Sequence, residues 1–143
     1  MLSPDINSRI LCPCCGYPTL AELSAYEICE LCNWEDDGQG DQDADIIRGG
    51  ANGEYSLSAA RDNFLKYLVM YAPDNDTRLN APDSAVEIAA KQQLVQAFRE
   101  WHAATDPAAR ETIRQRILEQ ESILRDELQR FVREYEERGD GSA

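Results

Sequence analysis

The chain has 143 residues, 14 Lys and Arg against 27 Asp and Glu, and a formal net charge of -13. That length fits one domain or a small module with a helical extension, and 43% hydrophobic content is enough for a core, which argues against general disorder. So large a negative charge argues against a protein that grips nucleic acid through its phosphates, and it favours a basic partner. The acidity is uneven: residues 1–57 carry 11 acids and two bases, net -9, whereas residues 58–143 carry 16 acids and 12 bases, net -4.

Met1 to Ile10 contains Asp5, Asn7 and Arg9 and has no apolar run of the signal-peptide kind. The most apolar stretch, Tyr67 to Ala72, is far too short to cross a bilayer. A cytoplasmic protein without membrane association is the expectation. In a reducing compartment, paired cysteines point to metal binding rather than to disulfides.

Two such pairs follow. Cys12-Pro-Cys14-Cys15-Gly16 and Cys29-Glu-Leu-Cys32 each hold a C-x-x-C spacing. A C-x-x-C turn sets two sulfurs on one side of an ion and leaves the next backbone N–H groups free to donate to thiolates. The residue after the second cysteine is often driven to positive φ, which suits Gly16 and is tolerated by Asn33. Cys12, Cys15, Cys29 and Cys32 are therefore the candidate ligands of a structural Zn²⁺. Four protein ligands fill a tetrahedral shell and leave no position for an activated water. Cys14 reads as a small buried residue of the knuckle. His102, the sole histidine, reads as a packing or surface residue of a later helix.

Between the pairs, Thr19 to Leu23 and Ala25 to Ile28 alternate weakly and predict two short strands. Trp34 is expected to pack over the knuckle. After it comes an acidic loop whose carboxylates, Glu35, Asp36, Asp37, Asp41, Asp43 and Asp45, are the candidate partner-binding face. The alternating Asp residues do not make a calcium loop, because Ile46 stands where glycine is needed and Asn52 where glutamate is needed. Gly49-Gly50-Ala51-Asn52-Gly53 lacks a phosphate-loop lysine and reads as a tight turn.

Ser56 or Ser58 can cap a helix over about 57–71, ended by Pro73. Ser84-Ala-Val-Glu87 is a capping box that opens a helix over about 84–104, with Ile88, Leu94, Val95, Phe98 and Trp101 as its apolar face. Asp106-Pro107 caps a third helix over about 107–138, stopped by Gly139, with the tail from Gly139 to Ala143 expected to fray. Ile113, Ile117, Leu124, Leu128, Phe131 and Tyr135 form one stripe along it. A helix of about 48 Å outruns a globule whose radius of gyration is roughly 14–15 Å. The stripe either closes a helical hairpin on the second helix, which the short linker favours, or pairs two chains as a homodimer.

The expected architecture is α+β: a small zinc-ribbon or knuckle module with a short β-hairpin over residues 1–57, then a helical region over 58–143 ending in a long helical hairpin. The pieces Cys12–Leu20, Tyr26–Cys29, Cys32–Gly38, Gly49–Gly53 and Ser56–Phe64 resemble the bacterial cysteine-rich CPCC family over about residues 11–70. The resemblance implies a zinc-ribbon-type module acting as a binding or accessory domain, some members in toxin–immunity settings, and it supports the same four cysteines as ligands. The functional expectation is a non-catalytic interaction module, immunity- or antitoxin-like, for a basic toxin or nuclease domain. The alternative is a zinc-ribbon nucleic-acid or transcription accessory factor. An enzyme is not expected, since no nucleophile–base group or open metal position is visible.

Overall fold

The structure, a computed structural model, describes residues 2–141. It divides into two compact units, 1–77 and 78–143. The expected boundary at 57/58 falls earlier, at the start of a helix that packs within the first unit. That helix, α1 (Leu57–Tyr67), buries Leu57, Ala60 and Phe64 there.

The first unit has little regular structure. Strands β1 (Ile10–Leu11) and β2 (Pro18–Leu20) pair antiparallel, Ile10 with Leu20 and Leu11 with Pro18. A single bridge joins Ile28 to Glu35. The strands expected at 19–23 and 25–28 are thus corrected. Pairing occurs across each C-x-x-C turn, not between the turns. The segment after β2 cannot extend, because Ser24 and Tyr26 take left-handed φ values of 53° and 59°.

Helix α1 opens on Ser56, whose Oγ accepts from the Ala59 N–H at 3.0 Å. It ends four residues before the expected Tyr71. Leu68 turns left-handed, with φ 61°, and its N–H closes on the Phe64 carbonyl. The early stop frees Val69, Met70 and Tyr71 to turn inward, and all three are buried. Packing of these side chains overrides the helical periodicity. Tyr55 meets Tyr71 edge-on at 5.6 Å, and its hydroxyl donates to the Asn75 carbonyl and accepts from the Ala72 N–H.

The second unit is a helical hairpin of α2 (Ala85–Ala103) and α3 (Pro107–Gly141). The capping box forms as expected: Ser84 Oγ accepts from Glu87 N, and Glu87 Oε1 accepts from Ser84 N. Asp106 Oδ2 caps α3 through the Ala109 N–H. The buried face of α2 is Ala90, Lys91, Leu94, Ala97 and Phe98, so it is rotated from the expected one and Ile88 is exposed. Two alanines let the helices approach closely, which apolar counting alone overlooks. Lys91 is buried because Asp83 receives it at 2.6 Å while also accepting from Arg78 at 2.8 Å. On α3, Ile113, Ile117 and Leu124 are buried, whereas Leu128 and Tyr135 are about half exposed. Ser84 Oγ donates to Glu127 at 3.1 Å, so the start of α2 lies beside Glu127 and the end of the stripe lies beyond it. Helix α3 runs past Gly139 to Gly141; the rest of the tail expected to fray, Ser142 and Ala143, lies outside the described residues. Among the described residues, no helix is long and apolar enough to cross a membrane.

Candidate metal centre

Each C-x-x-C turn is a knuckle built on the same plan. In the first, Gly16 N donates to the Cys12 carbonyl at 2.8 Å and Cys12 N to the Tyr17 carbonyl at 2.9 Å. In the second, Asn33 N donates to the Cys29 carbonyl and Cys29 N to the Trp34 carbonyl, both at 2.9 Å. Gly16 and Asn33 take the anticipated positive φ, 79° and 70°. The positive φ lets the chain double back, so both sulfurs of each pair point to the same side.

The four Sγ atoms of Cys12, Cys15, Cys29 and Cys32 lie within 4.8 Å of one another. Cys12 is 3.6 Å from Cys32 and Cys15 is 3.9 Å from Cys29, sulfur to sulfur. A tetrahedron with metal–sulfur bonds of about 2.3 Å has edges of about 3.8 Å. The sulfurs are thus positioned to hold a metal ion. Cys14 is buried next to them without joining the group, and its thiol acts on Cys32. His102 is exposed in the last turn of α2.

The protonation of the cluster points the same way. Burial pushes the Cys15 and Cys32 thiols far above their ordinary value. Burial also opposes ionisation of Cys29, but hydrogen bonds from Cys12, Cys15, Cys32 and the Thr19 hydroxyl draw it well down. Four thiolates at this spacing need a cation among them. Backbone donors add to this: Cys32 N reaches Cys29 Sγ, and Trp34 N reaches Cys32 Sγ, each at 3.5 Å. The Thr19 hydroxyl stands 3.0 Å from Cys29 Sγ.

A second layer, unassigned by sequence reasoning, braces the knuckles. Arg61 on α1 donates to the Pro13 carbonyl at 2.9 Å. Met70 N donates to the Cys32 carbonyl at 2.8 Å, and Asn63 Nδ2 holds the Met70 carbonyl. Asn52 is buried and clamps Glu35 from both sides, accepting from its N–H and donating to its carbonyl, each at 2.9 Å. This explains the glycine-rich turn: Gly49, Gly50 and Gly53 take positive φ to deliver Asn52. Thr19, Asn52 and Arg61 all sit inside the motif pieces, which was their only signal in the sequence. Trp34 is fully buried, as expected of a residue packed on the knuckle.

The acidic loop differs from the expected open face. Asp36 is 1% exposed and its carboxylate accepts from the Ser24 N–H at 2.7 Å, so it is corrected from a partner-binding to an internal residue. Asp37 accepts from Gln39 N at 3.0 Å. Arg48 donates to the Asp37 carbonyl and pairs closely with Asp43. The Gly40 N–H, with Arg48, holds the Asp43 carboxyl below the usual range against the opposing effect of desolvation. Asp41 pairs with Arg61 at 2.8 Å, and Asp45 accepts from the Ser58 hydroxyl. Glu35 is half-buried.

Searches of curated proteins and of solved structures give no significant match. A family model described as Cysteine-rich CPCC matches residues 10–84, further along the chain than the motif pieces reach. The match spans more than half of the sequence and takes in both knuckles, the Asn52 clamp and α1; the chain belongs to the cysteine-rich CPCC family.

Proposed function

We propose that the protein is a non-catalytic zinc module that docks on a basic protein, as an immunity- or antitoxin-like inhibitor of a toxin or nuclease domain. One observation carries the reading: four sulfurs of the chain itself stand at tetrahedral spacing. A shell filled in this way holds the fold and offers no position for substrate or water. All-thiolate tetrahedral donors suit zinc in a protein without redox chemistry. The charge supplies the partner. Between Arg9 and Arg48 the chain holds nine acids and no base, so attraction steers a basic surface toward this unit and a phosphate backbone away from it.

The test has two parts. Metal analysis of protein purified without added metal is expected to give one zinc per chain, and a different metal or none overturns the cofactor. A pull-down with the zinc-loaded chain from its native host is expected to recover a basic toxin or nuclease domain, and co-expression with that domain is expected to restore growth; recovery of no basic partner overturns the reading. Toxicity that persists at full expression of the zinc-loaded chain overturns the inhibitor.

A further inference from the structure

The geometry points to the loop between the two knuckles, residues 21–28, as the surface on which a basic protein segment with an apolar anchor docks. The inference rests on the interaction reading above and moves the contact away from the acidic loop.

Three large apolar side chains stand out within this short loop. Leu23 is 69% exposed, Tyr26 66% and Ile28 53%. Surface apolar residues are ordinary singly, but three within six positions of one short loop put an unusual amount of apolar surface in reach of one partner segment. The loop that presents them is fixed. Glu27 Oε1 accepts from the Ala21 N–H at 2.8 Å and closes its base. The buried Asp36 carboxylate holds Ser24 N, while Tyr26 N donates to the Asp36 carbonyl and Asp36 N to the Glu27 carbonyl, both at 3.0 Å. Ser24 and Tyr26 are non-glycine residues held at positive φ, a conformation that persists only where surrounding bonds over-determine it. A side chain shown on a rigid loop loses little freedom on binding, and tyrosine is among the strongest anchors of protein interfaces.

Charge selects the occupant. Glu22 is exposed and Glu27 half-buried in the loop, with Glu30 and Glu35 half-buried just after it; the Arg48 guanidinium, which lies beside Gly38 near Ser24, is already held by the Asp37 carbonyl and Asp43. A second copy of the chain would set these carboxylates against their own kind. A lysine- or arginine-bearing segment instead meets carboxylates and exposed apolar side chains on one short stretch, the combination a specific interface uses. Of the loop's own acids Glu27 is engaged by the Ala21 N–H and Glu22 is the exposed one, while in the acidic loop Asp36, Asp41 and Asp43 hold Ser24, Arg61 and Arg48.

The experiment is selection of random 12-residue peptides against the full-length zinc-loaded chain. Selected peptides are then titrated by fluorescence anisotropy against Leu23→Ser, Tyr26→Asn and Ile28→Ser, with Asp41→Asn and Ile46→Ser as controls. Asparagine tolerates positive φ, and zinc content checks that each variant is folded. The expected result is peptides combining Lys or Arg with a large apolar residue. Their affinity should fall by at least about tenfold in two or more loop variants, and it should hold in the controls. Peptides that bind as tightly to all three loop variants, or that respond only to the controls, overturn this surface and leave the interaction reading standing. Selected peptides without basic residues, or no enrichment at all, overturn both.

Discussion

The two units reach stability by opposite means. Among its described residues, unit 1–77 has strands of two and three residues, one α-helix of 11 and a few single 3-10 turns, and its order comes from four sulfurs, two matched knuckles and side chains that clamp backbone. Unit 78–143 has two long helices, and its order comes from an apolar stripe, caps and a buried Arg78–Asp83–Lys91 cluster. A short chain segment that cannot bury enough apolar area needs a staple, whereas a helical hairpin makes its backbone hydrogen bonds locally and needs only a seam. The comparison also says where variation is affordable: in the first unit the backbone path is fixed by a few special residues, in the second by a repeated pattern.

With the proposed zinc bound, its removal is the strongest way to break the contrast. Structural zinc contributes on the order of 10–16 kcal/mol in small zinc modules. Cys29→Ser, or chelation of the wild type, is therefore expected to abolish order in residues 10–72. Amide NMR signals of this segment should collapse toward random-coil positions, while those of α2 and α3 keep helical shifts. Collapse of both sets together would show that the hairpin depends on the metal unit.

The next effect belongs to the second unit. Lys91 is 2% exposed, and its ammonium meets Asp83 at 2.6 Å. Lys91→Ala leaves a buried carboxylate with Arg78 alone, and urea unfolding followed by helical circular dichroism is expected to show a loss of about 3 kcal/mol. Arg114→Ala, which removes an exposed pair with Glu111, is expected to cost no more than about 0.5 kcal/mol. The same cluster sets a pH dependence. Burial favours the neutral Asp83 carboxyl, but the Lys91 charge and hydrogen bond, with Arg78, hold its pKa below the ordinary value. The stabilisation is therefore complete above the unfolded carboxyl pKa of about 3.9 and is lost as pH falls through the lower folded value. Acid titration of wild type against Lys91→Ala should show the difference between them shrinking below about pH 4.

What the sequence disclosed follows the same division. The four-cysteine cluster was legible because C-x-x-C spacing reports a local turn, and Gly16 and Asn33 were legible as the residues that must turn it. The capping box at Ser84 and the cap at Asp106 were legible for the same reason: each acts within four residues. The strand pairing was missed because weak alternation between the knuckles resembled a hairpin, while the actual partners lie on either side of each knuckle. The end of α1 was missed because Leu68 turns to satisfy the burial of Met70 beside Cys32, a contact 38 positions apart in the chain. Asp36 read as surface because a carboxylate in an acidic run gives no sign that it caps the Ser24 N–H. Lys91 is hidden the same way: only the fold shows that Asp83 reaches it.

Asn52 is a smaller and more local way to sharpen the contrast. Its amide both accepts from and donates to the backbone of Glu35, three residues after Cys32. Asn52→Ala leaves two part-buried backbone groups without their partner, at about 1–3 kcal/mol in all. Because folding and metal binding are coupled in such a unit, the loss is expected to appear as weaker zinc affinity in competition with a chromogenic chelator, by about five- to 100-fold. Asn52→Asp, which keeps an acceptor for the Glu35 N–H, should lose less; equal affinity in both variants and wild type would remove the clamp from the account.

The smallest effect compares one piece of chemistry in both settings. Ser56 caps α1 by accepting from Ala59 N at 3.0 Å, and Ser84 caps α2 by accepting from Glu87 N at 3.1 Å. Replacing either by alanine forfeits a helix cap worth about 1 kcal/mol. The two losses should be read on different instruments. In Ser84→Ala the hairpin unfolds without reference to metal, so the urea midpoint falls and zinc affinity holds. In Ser56→Ala the destabilised unit competes less well for its ion, so zinc affinity falls about fivefold, the equivalent of that energy, and the hairpin's midpoint holds. Ser84 also donates to Glu127, so its variant should lose slightly more than a cap alone, and Ser84→Asp, which restores the cap but faces Glu127 with a second carboxylate, should recover only part. If Ser56→Ala shifts the hairpin's midpoint instead, the division of labour between a metal-held unit and a pattern-held one is wrong.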